Sequence, residues 1–243
     1  MFYLVANWKA NKTLAEARHW LDYLRSRLSA SLPPSLKIVV CPSFFHLPLL
    51  ADAFQKPPFA PHFVLGVQDL SLYPSGPYTG ETAASQLTGL VDYALLGHSE
   101  RRRLFTEDLQ TVFKKAQQAL SNQITPIIAV DRTNFNDQLT LFSSSQLAQL
   151  LVMYEPPEAI SRPVGPIGQG QPASPRQVEQ VAAQIKALAP QTPVLYGGSV
   201  KAANLAYFIS LKPISGVVVG SASLHPPEFL KMIQLLSTHA SSS

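Results

Sequence analysis

At 243 residues, 46% of them hydrophobic and 14% charged, the chain can close one large core and is too apolar for a disordered or acidic-tail protein. Its formal net charge of +4 lacks the Lys/Arg clustering of a nucleic-acid footprint, and its single cysteine, Cys41, excludes an internal disulfide framework. No apolar run approaches the roughly 20 residues of a membrane span, and the N-terminus has no basic leader region. The expectation is a cytoplasmic protein with neither membrane nor nucleic-acid partners.

The first β-rich run covers 2–9 and closes on Asn7-Trp8-Lys9, with a helical period following over 14–28. Runs at 36–42 and 63–68 come next, the latter followed by Pro77-Tyr78-Thr79-Gly80-Glu81. The fourth, 93–97, leads into Gly97-His98-Ser99-Glu100-Arg101-Arg102 and a helical stretch over 104–120. The fifth, 126–130, gives way to Val130-Asp131-Arg132-Thr133, and the sixth, 150–155, closes on Met153-Tyr154-Glu155-Pro156-Pro157. A helix over 175–189 precedes the seventh run, 193–197, which opens into Tyr196-Gly197-Gly198-Ser199-Val200. The eighth, 216–220, ends at Gly220-Ser221, and a last helix covers 226–236 before a polar stretch, 237–243, that is expected to fray.

Most of these runs are continuously apolar, as Ile38-Val39-Val40 and Val217-Val218-Val219 show. That pattern fits parallel strands buried on both faces, because half-exposed strands alternate. Strand and helix alternating through the chain give an α/β fold, a single-domain (β/α)8 barrel of eight parallel strands over 1–243. An open doubly wound sheet would want a Gly-rich loop after its first strand, where this chain has Asn7-Trp8-Lys9-Ala10-Asn11.

In such a barrel the chemistry sits where strands end. Lys9 there is a candidate for an anion, since a buried ammonium needs a partner; a lysine snorkelling at the strand end accounts for it equally. Ser99 is placed to cap the helix after strand four, and His98 to face the mouth near the positive helix end as a neutral ring; a histidine capping a turn is the plainer alternative. Glu155, fixed by the prolines behind it, is a candidate base or a salt-bridged acid. The glycine turns around Ser199 and at Gly220-Ser221 enter helices, as phosphate cradles do.

Asn7-Trp8-Lys9, Pro77-Tyr78-Thr79-Gly80-Glu81, Gly97-His98-Ser99-Glu100-Arg101-Arg102, Tyr154-Glu155-Pro156 and Tyr196-Gly197-Gly198-Ser199-Val200, in this order from the first strand to the last, resemble the triosephosphate isomerase family. The resemblance implies a cofactor-free, metal-free interconversion of dihydroxyacetone phosphate and D-glyceraldehyde 3-phosphate, as in glycolysis and gluconeogenesis. It implies Glu155 as the proton-shuttling base, His98 as the electrophile and Lys9 as the phosphate and oxyanion cation, with Asn7 beside it and Glu100 in support. Ser199, Gly220, Ser221 and the lid residue Gly168 would hold the phosphate, and Tyr196 would receive the closed lid, 156–175. Family members are dimers held by the loop that carries Thr79, and some relatives are tetramers. A catalytically retired phosphate-binding barrel, or another phosphosugar barrel enzyme, is the alternative. Three departures stand out. The family's Cys-Ile-Gly-Glu after strand five is absent and the segment to Glu155 is short, which is expected to affect stability more than chemistry. The lid after Glu155 carries extra Pro-rich residues. Ser221 stands where the family commonly has a second glycine.

Overall fold

The computed structural model describes residues 1–28, 32–156 and 173–241. Eight strands form a closed barrel in sequence order: β1 (Phe2–Asn7), β2 (Leu36–Cys41), β3 (Phe63–Val67), β4 (Tyr93–Leu96), β5 (Thr125–Val130), β6 (Leu151–Tyr154), β7 (Val194–Tyr196) and β8 (Gly216–Val219). Every neighbouring pair is parallel, including the β1–β8 pair that closes the ring.

The continuous apolar runs have a direct structural cause. Successive side chains on a strand point to opposite faces, and here both faces are dry. Val5, Val39, Leu95, Ile127, Met153, Leu195 and Val218 fill the barrel interior. Their neighbours Leu4, Ala6, Ile38, Val40, Leu96, Ile128, Val152, Val217 and Val219 pack outward against the helices.

The helices are α1 (Leu14–Arg25), α2 (Leu47–Phe54), α3 (Ser99–Leu104), α4 (Leu109–Ser121), α5 (Phe135–Leu139), α6 (Ser144–Leu147), α7 (Pro175–Leu188), α8 (Ala202–Ile209), α9 (Ser221–Leu224) and α10 (Pro226–Ser241). Capping boxes start α1, where Thr13 and Glu16 bond each other's backbone N–H, and α7, through Ser174 and Gln177.

Three local expectations are corrected. The helix expected over 104–120 is two helices, because Thr106 adopts a left-handed φ of 56° and Asp108 caps a new start by accepting from Thr111 N at 2.7 Å. The first strand stops at Asn7 rather than residue 9, since Lys9 is itself left-handed, at φ 52°. The polar stretch from Ser237, expected to fray, is helical as far as Ser241. Phe229, Met232, Ile233 and Leu236 anchor that helix in the core, and the Ser237 and Thr238 hydroxyls donate back to the Ile233 and Gln234 carbonyls.

Candidate active site

Asn7, Lys9, His98, Glu155, Ser199, Gly220 and Ser221 line one cavity at the C-terminal mouth of the barrel. Strand register brings them together: β1, β4, β6, β7 and β8 all end at this face, and each delivers its polar residue there.

Lys9 is held by its backbone. Its N–H donates to Asn7 Oδ1 at 3.1 Å, and its carbonyl accepts from Gln68 Nε2 at 2.9 Å. Gln68 also donates to the Cys41 carbonyl, tying the loops after β1, β2 and β3 together. The Lys9 ammonium donates to Glu100 Oε1 at 2.6 Å. A Cβ on Gly220 would stand 3.5 Å from Lys9 Cε, so the cation lies beside the start of α9.

His98, not Ser99, is the N-cap of α3. Its Nδ1 accepts from Glu100 N at 3.2 Å, and that assigns the ring proton to Nε2. The Nε2–H then faces Glu155 Oε1 at 3.0 Å, while Ser99 N donates to Glu155 Oε2 at 3.0 Å. Ser99 thus serves the carboxylate rather than the cap. Glu155 is buried, which pushes its carboxyl up, but the His98 ring and the Ser99 N–H outweigh burial and hold it below the ordinary carboxylate range. A buried acid is kept ionised in the mouth.

The turn that presents His98 depends on Gly97, whose φ is 68°. A Cβ there would also come within 2.8 Å of Arg102 Nη2 and of Val112 Cγ2. Gly97→Ala is therefore expected to cost on the order of 2 kcal/mol of stability, read as a lower urea midpoint at unchanged m-value.

At the Gly220 edge of the mouth, the short α9 is clasped at its C-terminal end. Trp20 Nε1 donates to the Ser223 carbonyl at 2.9 Å, and Lys12 Nζ to the Leu224 carbonyl at 2.7 Å. Asn204 on α8 fixes the Ser199 carbonyl at 2.9 Å.

Over residues 2–236 the chain matches the family model described as triosephosphate isomerase. The chain belongs to this family. It is 32% identical to the triosephosphate isomerase of Polynucleobacter asymbioticus, with 95% of this chain and 98% of the relative aligned. The Leifsonia xyli subsp. xyli enzyme of the same name is 36% identical over 95% of each chain, and that of Symbiobacterium thermophilum 34% over 93% of each.

Against the family pattern, the structure gathers all five catalytic candidates together with Ser199, Gly220 and Ser221. Gly168 and nearly all of the lid lie outside the described residues. Tyr196 is fully buried, and its hydroxyl accepts from Ala173 N at 3.0 Å. Thr79 is exposed in the loop after β3 and does not line the mouth. The segment after β5 contains only the two short helices α5 and α6. Gln68, Lys12, Trp20 and Gln138 were not singled out from the sequence. Gln68 alone carried a usable signal, as a polar residue closing an apolar strand.

Proposed function

We propose that this mouth interconverts dihydroxyacetone phosphate and D-glyceraldehyde 3-phosphate through an enediolate, with Glu155 as base and His98 as electrophile. The observation that carries the assignment is the His98 ring, its Nδ1 accepting from the Glu100 N–H and its Nε2–H directed at the buried Glu155 carboxylate 3.0 Å away. Substrate bound between them takes the His98 N–H on its carbonyl oxygen. Glu155 is then free to remove the proton from the adjacent carbon. The C–H electron pair forms the enediol double bond, the carbonyl electrons move to oxygen, and His98 and Lys9 stabilise that charge. The hydroxyl proton passes from the first enediolate oxygen to the second by way of His98, and the carbonyl re-forms on the first carbon. Glu155 returns its proton to the neighbouring carbon, so the isomer leaves with every protein group as it began.

Lys9, with backbone donors near Ser199, Gly220 and Ser221, is suited to the phosphate, and serine at 221 keeps its backbone N–H. A coupled assay of glyceraldehyde 3-phosphate conversion with purified, metal-stripped protein tests the reading. No conversion above the uncatalysed rate would sink it.

A homodimer is part of the same proposal. Phe44 and Phe45 after β2, Tyr73 and Tyr78 after β3, and Leu104 and Phe105 after β4 are all exposed, and apolar surface in three successive loops marks an interaction face. Tyr73 and Tyr78 stack with centroids 4.4 Å apart, stiffening the loop that carries Thr79. Analytical ultracentrifugation is expected to give a dimer with Thr79 near the partner's Lys9. An active monomer at assay concentration refutes it. No helix among the described residues is long and apolar enough to cross a membrane, and a reaction on charged, soluble triose phosphates supports a cytoplasmic location.

A further inference from the structure

Arg102, the last residue of Gly97-His98-Ser99-Glu100-Arg101-Arg102, is a charged group that the chemistry above leaves unused. Its Nε donates to the Gly97 carbonyl at 2.7 Å, and its Nη2 to the Ala129 carbonyl at 3.1 Å and to Gln138 Oε1 at 2.8 Å. All three acceptors are neutral. Among the described residues no carboxylate pairs with Arg102, although a carboxylate is the ordinary partner of a sequestered guanidinium. Asp131 lies closest in kind, but its carboxylate is already engaged by the Thr133 and Asn134 backbone N–H groups and by both of their side chains.

Gln138 comes from α5, in the short segment after β5, and is fully buried. Its amide orientation is fixed from both sides. Nε2 donates to the Leu109 carbonyl at 3.2 Å, so the oxygen must face Arg102, which can only donate. Arg102 in turn holds the carbonyl of Gly97, the residue directly before His98 and Ser99. Arg102, Asp131 and Glu155 line the same small cavity.

We propose that Gln138 is a positioning residue for the isomerase reaction, holding Arg102 with a neutral oxygen so that an unneutralised guanidinium stays beside the ionised Glu155. The inference rests on Glu155 being the base. Burial disfavours the Arg102 charge, while Asp131 first and then Glu107 and Glu155 favour it, and opposite charges lining one small cavity attract. A glutamate at 138 would pair with Arg102 and cancel that effect. Among the described residues, the titratable and charged groups around Glu155 are His98, Glu100 and Arg102 at the start of α3, Lys9 after β1 and Asp131 after β5.

The test is the acid limb of kcat/KM in Gln138→Glu, with Gln138→Met as a control that removes the acceptor and adds no charge. Gln138→Glu is expected to move the limb up by roughly half to one pH unit. Gln138→Met is expected to lower kcat/KM with the limb in place. A merely structural glutamine would give two damaged variants with the same limb as the parent, and that result overturns the proposal. A 13C NMR titration of the Glu155 carboxyl in the unliganded full chain reads the same shift without turnover. Wild-type protein lacking isomerase activity but showing the NMR shift on Gln138→Glu would retire the proposed reaction and keep this coupling. Should Gln138→Glu fail to fold, Arg102→Gln removes the cation itself, and an unmoved Glu155 titration there is equally fatal.

Discussion

Glu155→Gln is expected to lower kcat by at least about 10²–10⁴-fold while leaving affinity for inorganic phosphate nearly unchanged. The substitution removes the group proposed as base and leaves untouched the backbone donors proposed for the phosphate around Ser199 and Gly220. It also disturbs the resting site in a readable way. Glu155 accepts from two donors, His98 Nε2–H and Ser99 N–H. A glutamine offers one acceptor and turns an NH2 toward the other donor, so one hydrogen bond is lost. Because the Glu155 carboxyl is held below its ordinary value of 4.5, its stabilising contribution is complete at neutral pH and is lost as pH falls through the lower folded value. The variant should therefore lose less stability than the parent on acidification below about pH 4.5, read by urea unfolding. Retention of most turnover would remove Glu155 from the role of base.

The catalytic candidates were legible because a parallel barrel makes polar residues conspicuous. Its strands are apolar on both faces, so Lys9, His98 and Glu155 stand out where the runs end, and the closed topology then brings those ends to one mouth. The ring tautomer was half legible. The sequence placed His98 at a helix start, but the Glu100 N–H that pins Nδ1, and the consequent transfer of capping from Ser99 to His98, depend on backbone angles. The pairings that hold the candidate residues were illegible for a physical reason, even where, as at Gln68, the residue itself stood out. Gln68 meets Lys9 across 59 positions, Trp20 meets Ser223 across 203, and Gln138 meets Arg102 across 36. No local period encodes such pairs. Apolar periodicity likewise ran straight through Thr106, whose left-handed backbone splits the expected helix in two. The short segment after β5, expected to affect stability more than chemistry, carries Gln138, which bonds Arg102.

Lys9→Met is expected to weaken substrate binding and turnover together, with the loss in kcat alone on the order of 10²–10³-fold. The resting geometry explains why one cation can serve both. Its ion pair with Glu100 is short, at 2.6 Å, but both side chains are more than a quarter exposed, so the pair is worth little and the ammonium can be given up to an arriving anion. The backbone, by contrast, is fixed. The left-handed φ of 52° costs on the order of 1 kcal/mol in a residue with a Cβ, and the bonds from Gln68 to the Lys9 carbonyl and from Lys9 N to Asn7 Oδ1 hold it there. That fixed start aims the side chain across the mouth to the edge of α9, beside Gly220. Methionine keeps the length and the packing, so the fold should persist and the change should report charge alone. Lys9→Arg keeps the charge but swaps a compact ammonium for a planar fork, and only partial recovery is expected. If the methionine variant keeps its affinity for a phosphate-bearing mimic of the enediolate, Lys9 holds neither the phosphate nor the developing oxyanion, and the cation for both must be sought elsewhere in the mouth.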